Sequence, residues 1–334
     1  MSLPALDALR RLFPEAKITV AAPPGTADIF LDSNSVNDVL VQRTGGLLAA
    51  LTNARELRRG RFNLAVLFQN AFAAAATAFL AGVSVRVGYA TDRRSALLTS
   101  ALPVPAWKDE RHESFYYLNL VAGVEKAVFG SSSAIQSDPV FELPVSTSRK
   151  ETAQRLLKQS GGVAGRPVAI LCPGSVNSRA KRWPAERYAE LADRFIDAGL
   201  DVVLIGSPGE LAVSNEVSDR ARHKPIVLTG KTSVGDVVAL ISIADFLVTN
   251  DTGPAHIGAA LGAPTLVIFG PTNPLTTYPL SPHAELIRQP PDCAPCMLRD
   301  CPIDHRCMTS ISVDDVFRRA MKAHDRKSAQ LIGC

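Results

Sequence analysis

Short apolar runs alternate with longer amphipathic ones along most of this chain, the pattern of strands exchanging with helices. In the first half, Lys17–Ala22, Leu64–Phe68 and Val83–Tyr89 read as strands, and Leu3–Phe13, Gly46–Arg58, Ala71–Leu80 and Glu113–Val121 as helices. The stretch Phe129–Gly165 holds many Ser, Gly and Pro residues around one helical run, Thr147–Gln159, and marks a boundary. From Pro167 the alternation is cleaner: PVAILCPG, a helix from Ala185 past Asp193, DVVLIGS, a helix over Glu210–Ala221, PIVLTG, a helix over Val234–Ile243, DFLVTND, and then VTNDTGPAHIGAALGAPTLVIFGP. Strands that are apolar throughout are buried on both faces, which calls for a parallel sheet between two helix layers. The pattern therefore predicts an α/β chain of two doubly wound domains, residues 1–145 and 146–334, with ligands at the carboxyl ends of the strands. The chain enters on a helix and reaches its first strand only at Lys17, as though in the middle of a βαβ unit.

Composition narrows the function. A length of 334 residues with 46% hydrophobic content supports two cores, and 36 basic against 32 acidic residues leave +4, too weak a field for nucleic acid. An anionic small molecule or a membrane surface needs less. No apolar run reaches the roughly 18 residues of a spanning helix. Charges at Asp7, Arg10, Arg11, Glu15 and Lys17 exclude a secretory signal, so a cytoplasmic protein is expected. Of the 6 cysteines, Cys293, Cys296, Cys301 and Cys307 crowd one segment while Cys172 and Cys334 stand apart, unlike a disulfide framework. Trp107, Phe115, Tyr116 and Tyr117 form no stacking stripe and read as packing residues.

Two loops have the chemistry of anion sites. CPGSVNSRAKRWP follows a strand and precedes a helix, so that Gly174, Ser175, Asn177 and Ser178 lie where backbone N–H groups can approach a phosphate, with Lys181 and Arg182 close behind. The alternative is an ordinary solvated loop anchored by Trp183. In the second, a helix starting at Thr252–Ala255 turns unpaired N–H groups and the positive end of its dipole outward, and Gly253 leaves them uncovered. Asp251 is either a helix cap or a ligand for a sugar hydroxyl, and His256 either reaches a phosphate or packs. LTGKTS lacks the earlier glycine of a nucleotide-triphosphate loop, Pro225 standing in its place, and GSPGE lacks the G-x-G-x-x-G of a nicotinamide site. Glu210 in that loop is a ribose acceptor or simply a charge favouring the helix start. CAPCMLRDCPIDHRCM could hold a structural zinc, pack as reduced thiols or form disulfides; its second half lacks a paired-ligand spacing.

These segments together resemble the inverting heptosyltransferases of lipopolysaccharide inner-core synthesis, with the cysteine segment most similar to the type II members. The resemblance covers essentially the whole chain and rests on LPALDALRRLFPEAKITV, PGSVNSRAKRWPAERYAELA, the block from LTGKTS through VIFGPTNP, and CAPCMLRDCPIDHRCM. It implies two facing Rossmann-like domains, the GT-B arrangement, the second carrying the cysteine-rich loop 293–307 and a C-terminal helix. It also implies ADP-heptose as donor, a lipid-linked core oligosaccharide as acceptor, peripheral contact with the inner face of the cytoplasmic membrane, and no cofactor beyond a structural zinc if the cysteines hold one. Ser178, Lys181, Thr252, Gly253, Ala255 and His256 would then bind the donor diphosphate, while Asp251 holds the heptose and Glu210, or its competitor Glu216, the ribose. The implied reaction is a single displacement with inversion, charge on the departing ADP being stabilised by preorganised donors and the domains closing over the donor. The resemblance places the family's general-base aspartate and first strand before Met1, so the base is unassigned and the N-terminal sheet is expected to have a gap with unpaired edges. A nucleotide-sugar-binding protein with little turnover, or an epimerase on the same architecture, are the competing readings.

Overall fold

The computed structural model describes residues 1–130 and 138–332, so part of the expected boundary stretch, and Cys334, lie outside the described residues. Contacts divide the chain into two units, Met1–Val140 and Phe141–Cys334.

The first unit runs α1 (Leu3–Leu12), β1 (Thr19–Ala22), α2 (Pro24–Ala27), β2 (Asp38–Val41), α3 (Gly46–Arg59), β3 (Leu64–Leu67), α4 (Phe72–Leu80), β4 (Val85–Tyr89), β5 (Ser100–Leu102) and α5 (Glu113–Phe129). All its strand pairs are parallel, β1 with β2 in one sheet and β3–β4–β5 in another. Its core gathers Ala5 and Leu9 of α1, Val87 and Tyr89 of β4, and Tyr116, Leu120 and Val124 of α5. Two strands escaped the sequence pattern: β2 and β5 are short and only partly buried, so neither shows a continuous apolar run. Helix α5 also continues well past Val121. Its Gly123 lies so close to Leu102 of β5 that an added Cβ would overlap that side chain, which makes the glycine a packing contact within the helix.

The second unit runs α6 (Thr147–Gln159), β6 (Val168–Cys172), α7 (Ala185–Asp197), β7 (Asp201–Leu204), α8 (Leu211–Arg220), β8 (Ile226–Val227), α9 (Val234–Ile243), β9 (Phe246–Asn250), α10 (Gly253–Ala260), β10 (Thr265–Ile268), α11 (Pro274–Thr277), β11 (Ala284–Ile287), α12 (Arg306–Thr309) and α13 (Val313–Ile332). Its six strands form one parallel sheet in the order β11-β10-β9-β6-β7-β8, the doubly wound arrangement that reverses direction between β6 and β9. Every residue of β6, β7, β9 and β10 is buried. Alternate β6 side chains serve opposite layers: Ala169 and Leu171 pack with α7 and α13, while Val168, Ile170 and Cys172 pack with α6 and α9.

Candidate functional site

In a doubly wound sheet the crevice for a ligand opens where neighbouring strands send their connections to opposite faces. Here that point lies between β6 and β9, paired through Cys172↔Thr249. The two loops singled out in the sequence, residues 173–184 and 250–255, are the segments that leave these two strands.

Asn250, the last residue of β9, ties the loops together. Wholly buried, its Oδ1 accepts from the Trp183 N–H at 3.1 Å and the Tyr188 hydroxyl at 3.2 Å, and its Nδ2 donates to the Pro173 and Gly174 carbonyls at 2.9 and 3.1 Å. Lys181 makes the second tie: its ammonium donates to Asp251 Oδ2 at 2.8 Å and to the Asp251 carbonyl at 3.2 Å. Asp251 is only 4% exposed, and its Oδ2 also accepts from Thr272 Oγ1 at 2.6 Å, so a third loop, leaving β10, completes the cluster. Lys181 itself remains partly open to solvent.

Asp251 is therefore not the helix cap that its position allowed. Thr252 occupies the N-cap with extended backbone and makes no side-chain capping bond; its hydroxyl turns back to the Asn250 carbonyl. Pro254, in the first turn, contributes no N–H. The Ala255 N–H, expected to face a ligand, is already bonded to the Thr252 carbonyl at 3.1 Å, and the Ala255 side chain is buried beside Val267 and Phe269. Among the described residues no acceptor takes the Thr252 or Gly253 N–H, and a Cβ at Gly253 would meet nothing. The bare part of the helix start is thus narrower than its sequence implied. His256 sits half-buried in the first turn of α10.

The first loop is held from outside. Ser178 is buried, and its hydroxyl donates to the Leu298 and Arg299 carbonyls at 3.3 and 3.2 Å, so its side chain braces the loop and does not project from it. Arg182 donates to the Ser175 carbonyl at 2.9 Å. The cysteine segment supplies further braces: the Ala180 N–H bonds to the Arg299 carbonyl, His305 Nε2 lies 2.6 Å from the Ala180 carbonyl, and Arg179 Nε donates to Asp300 at 2.6 Å, holding that carboxyl below its ordinary range. Sequence spacing gave no sign of this partnership, because the segments are far apart in the chain and meet only through the sheet order.

Cys293, Cys296, Cys301 and Cys307 line one small pocket with Ala180 and His305. All are free thiols, and among the described residues no three His, Cys, Asp or Glu side chains are placed to hold a metal ion. Burial, then the neighbouring thiols, push Cys307 up to about 11.

Glu210 and Glu216 separate clearly. Glu216 lies on the outside of α8 in an ion pair with Arg220. Glu210 is buried, accepts from the Ser207 N–H at 2.7 Å and hydroxyl at 2.8 Å in a capping box, and lies against Gly174, where any Cβ would overlap its carboxylate. It belongs to the site's wall through Gly174.

A doubly wound sheet carrying a bare helix start and a lysine at its switch point defines an α/β protein equipped for an anionic ligand. Residues 51–306 match the model of glycosyltransferase family 9 (heptosyltransferase), and the chain belongs to that family of enzymes. Lipopolysaccharide heptosyltransferase 2 of Escherichia coli (strain K12) is 30% identical over 301 residues, covering 86% of this chain and 84% of that protein. Lipooligosaccharide heptosyltransferase 2 of Haemophilus influenzae is 30% identical over 300 residues, with coverage of 86% and 84%. The solved structure of E. coli ADP-heptose lps heptosyltransferase II superposes with a TM-score of 0.83 at 26% identity, covering 98% of this chain and 95% of that one. A family 9 glycosyltransferase from Veillonella parvula shares the fold, with a TM-score of 0.81 at 22% identity over 97% of this chain and 93% of that one.

Proposed function

We propose that this chain transfers heptose from ADP-heptose to the inner core of lipopolysaccharide with inversion at the anomeric carbon, working at the inner face of the cytoplasmic membrane. The observation that carries the reading is the junction of β6 and β9, where the open N–H groups of Thr252 and Gly253 stand beside the Lys181–Asp251 pair in a family 9 chain. A diphosphate on those two N–H groups meets the positive end of α10 and the Lys181 ammonium. As the glycosidic bond to the donor breaks, negative charge grows on the departing ADP, and fixed donors stabilise it without reorganising.

Within this reading the residues divide by role. Lys181, Thr252 and Gly253 touch the diphosphate, with His256 at the edge of the same turn. Asp251 holds Lys181 and faces the sugar, Ser178 keeps the phosphate loop in place from behind, and Glu210 borders the ribose side through Gly174. Ala255 serves by packing the helix start against β10 and not through its N–H. The positive charge comes from the protein, so EDTA is expected to leave turnover unchanged.

The test is ADP release from ADP-heptose with and without a lipid-linked core acceptor, followed by determination of the anomeric configuration in the product. Acceptor-dependent release with inversion supports the proposal. Tight ADP-heptose binding without release would favour a binding protein instead, and a product still linked to nucleotide an epimerase.

A further inference from the structure

The two most exposed large hydrophobic residues described are neighbours in the first turn of α3, Leu47 at 73% and Leu48 at 82%, and Leu51 one turn on is also exposed. Burying none of the three is costly unless something covers them. At the helical step of 100° per residue implied by 3.6 residues per turn, Leu47, Leu48 and Leu51 share one face with Arg55, Arg58 and Arg59, all three exposed. The opposite face is the anchored one. Asn53 on that side is buried, as is Ala54 at the edge of the leucine face, α3 packs on α4, and the Asn53 amide clamps Arg43 by two bonds of 2.9 Å, accepting from its N–H and donating to its carbonyl. Two left-handed glycines, Gly45 and Gly46, turn the chain sharply just before the leucines.

The outward face is thus graded along its length, with apolar residues at its start and guanidinium groups about 15 Å further along the axis at ~1.5 Å per residue. Charge around it has one sign: from residue 43 to residue 61 the chain carries Arg43, Arg55, Arg58, Arg59 and Arg61 against Glu56 alone, and Glu56 sits on the other side of the helix, partly buried. A free phosphate would engage the arginines and leave the leucines in water. An apolar protein groove would cover the leucines and gain nothing from the arginines. A bilayer bearing anionic headgroups satisfies both, leucines below the headgroups and arginines level with the phosphates.

We propose that α3 is the membrane-docking element of this enzyme, entering an anionic phospholipid surface with its first turn foremost. The inference rests on the membrane-associated reading above and gives it a location. It places the first unit, by its own helix, at the surface that carries a lipid-linked acceptor.

Co-sedimentation of the full chain with vesicles tests it, using phosphatidylcholine alone and phosphatidylcholine mixed with phosphatidylglycerol at low salt. Leu47→Ser with Leu48→Ser is expected to weaken binding to the anionic vesicles about 10- to 100-fold. Replacing Arg55, Arg58 and Arg59 by Gln should cost a similar factor on anionic vesicles and nothing on neutral ones. Every substituted residue is exposed, so both variants should keep the wild-type melting temperature and ADP affinity. A Leu48→Trp variant should show blue-shifted emission on anionic vesicles. If the wild-type chain binds and the leucine variant binds equally well, the docking assignment falls while membrane association stands. Should the wild-type chain ignore anionic vesicles altogether, both fall.

Discussion

Replacing Asn250 with Ala should loosen the floor of the site more than any other single polar change in it. Four hydrogen bonds disappear: Oδ1 from Trp183 N–H and Tyr188 OH, and Nδ2 to the carbonyls of Pro173 and Gly174. Tyr188 keeps a contact with the Cys172 carbonyl at 3.3 Å, and the carbonyls tolerate loss better than a donor does. The Trp183 N–H, in a residue only 1% exposed, is left without a partner. One stranded buried donor costs about 1–3 kcal/mol and the remaining bonds about 1 kcal/mol together, so the total is about 3 kcal/mol. For a domain of this size that lowers the melting temperature by roughly 6–12 °C. Each unit contains one tryptophan, Trp107 or Trp183, so Trp107→Phe makes Trp183 fluorescence a specific reporter of the second unit. ADP affinity should fall as well, because the Pro173–Gly174 turn and the α7 start lose their common anchor. A melting shift below about 2 °C with ADP affinity unchanged would refute the claim that Asn250 joins the loops.

Other outcomes follow from the same geometry. Gly174→Ala should push the Glu210 carboxylate out of its capping box at a cost of about 1–2 kcal/mol, and Glu210→Ala in the same chain should recover part of that loss; strict additivity would contradict the contact. Cys172 is enclosed at the end of β6, and burial, then the Glu210 charge, push its thiol up to about 12. An unfolded thiol ionises near ~8.5, so above that pH the unfolded chain holds fewer protons than the native one, and native stability falls by about 1.4 kcal/mol per pH unit from this group until its folded value is reached. Urea titrations between pH 8 and 10 should show a shallower decline in Cys172→Ala, and an unchanged slope would exclude the assignment. In the native protein Ellman's reagent should modify exposed Cys293 quickly, and buried Cys172 and Cys307 only on unfolding; fast reaction at Cys172 would contradict its burial.

The second unit was legible in the sequence because burial on both sheet faces leaves a strand apolar throughout, as in Val168–Cys172 and Phe246–Asn250, and helices Thr147–Gln159 and Val234–Ile243 fall where their periodicity put them. The first unit was less so: Asp38–Val41 and Ser100–Leu102 are half-covered and brief, and the helix expected over Glu113–Val121 runs on to Phe129 through Gly123, whose close packing on Leu102 leaves no trace in a single sequence. At the candidate site, glycine, small polar residues and lysine after a strand singled out both loops, and the structure brings them together. Which of them faced outward was a tertiary matter. Ser178 turned to the cysteine segment, Ala255 N–H closed on Thr252, and Asp251 met Lys181 and Thr272. Asn250 ends an apolar strand beside the switch point and Thr272 is the polar residue in the loop after the adjacent strand, but their partners lie in the loops after β6 and β9 and on α7, which no local spacing reveals.

The account turns on whether the open N–H groups of α10 and the Lys181 ammonium hold the donor diphosphate. Calorimetric titration of ADP into Gly253→Val and Lys181→Met chains measures this directly, since Gly253 has open space beside it and its substitution should leave the fold intact. Each should weaken ADP binding about 10- to 100-fold, the worth of one or two charge-assisted hydrogen bonds, while adenosine, which has no phosphate, binds both variants as it binds the wild type. ADP affinity within twofold of the wild-type value in both chains would contradict the assignment of the diphosphate to this junction.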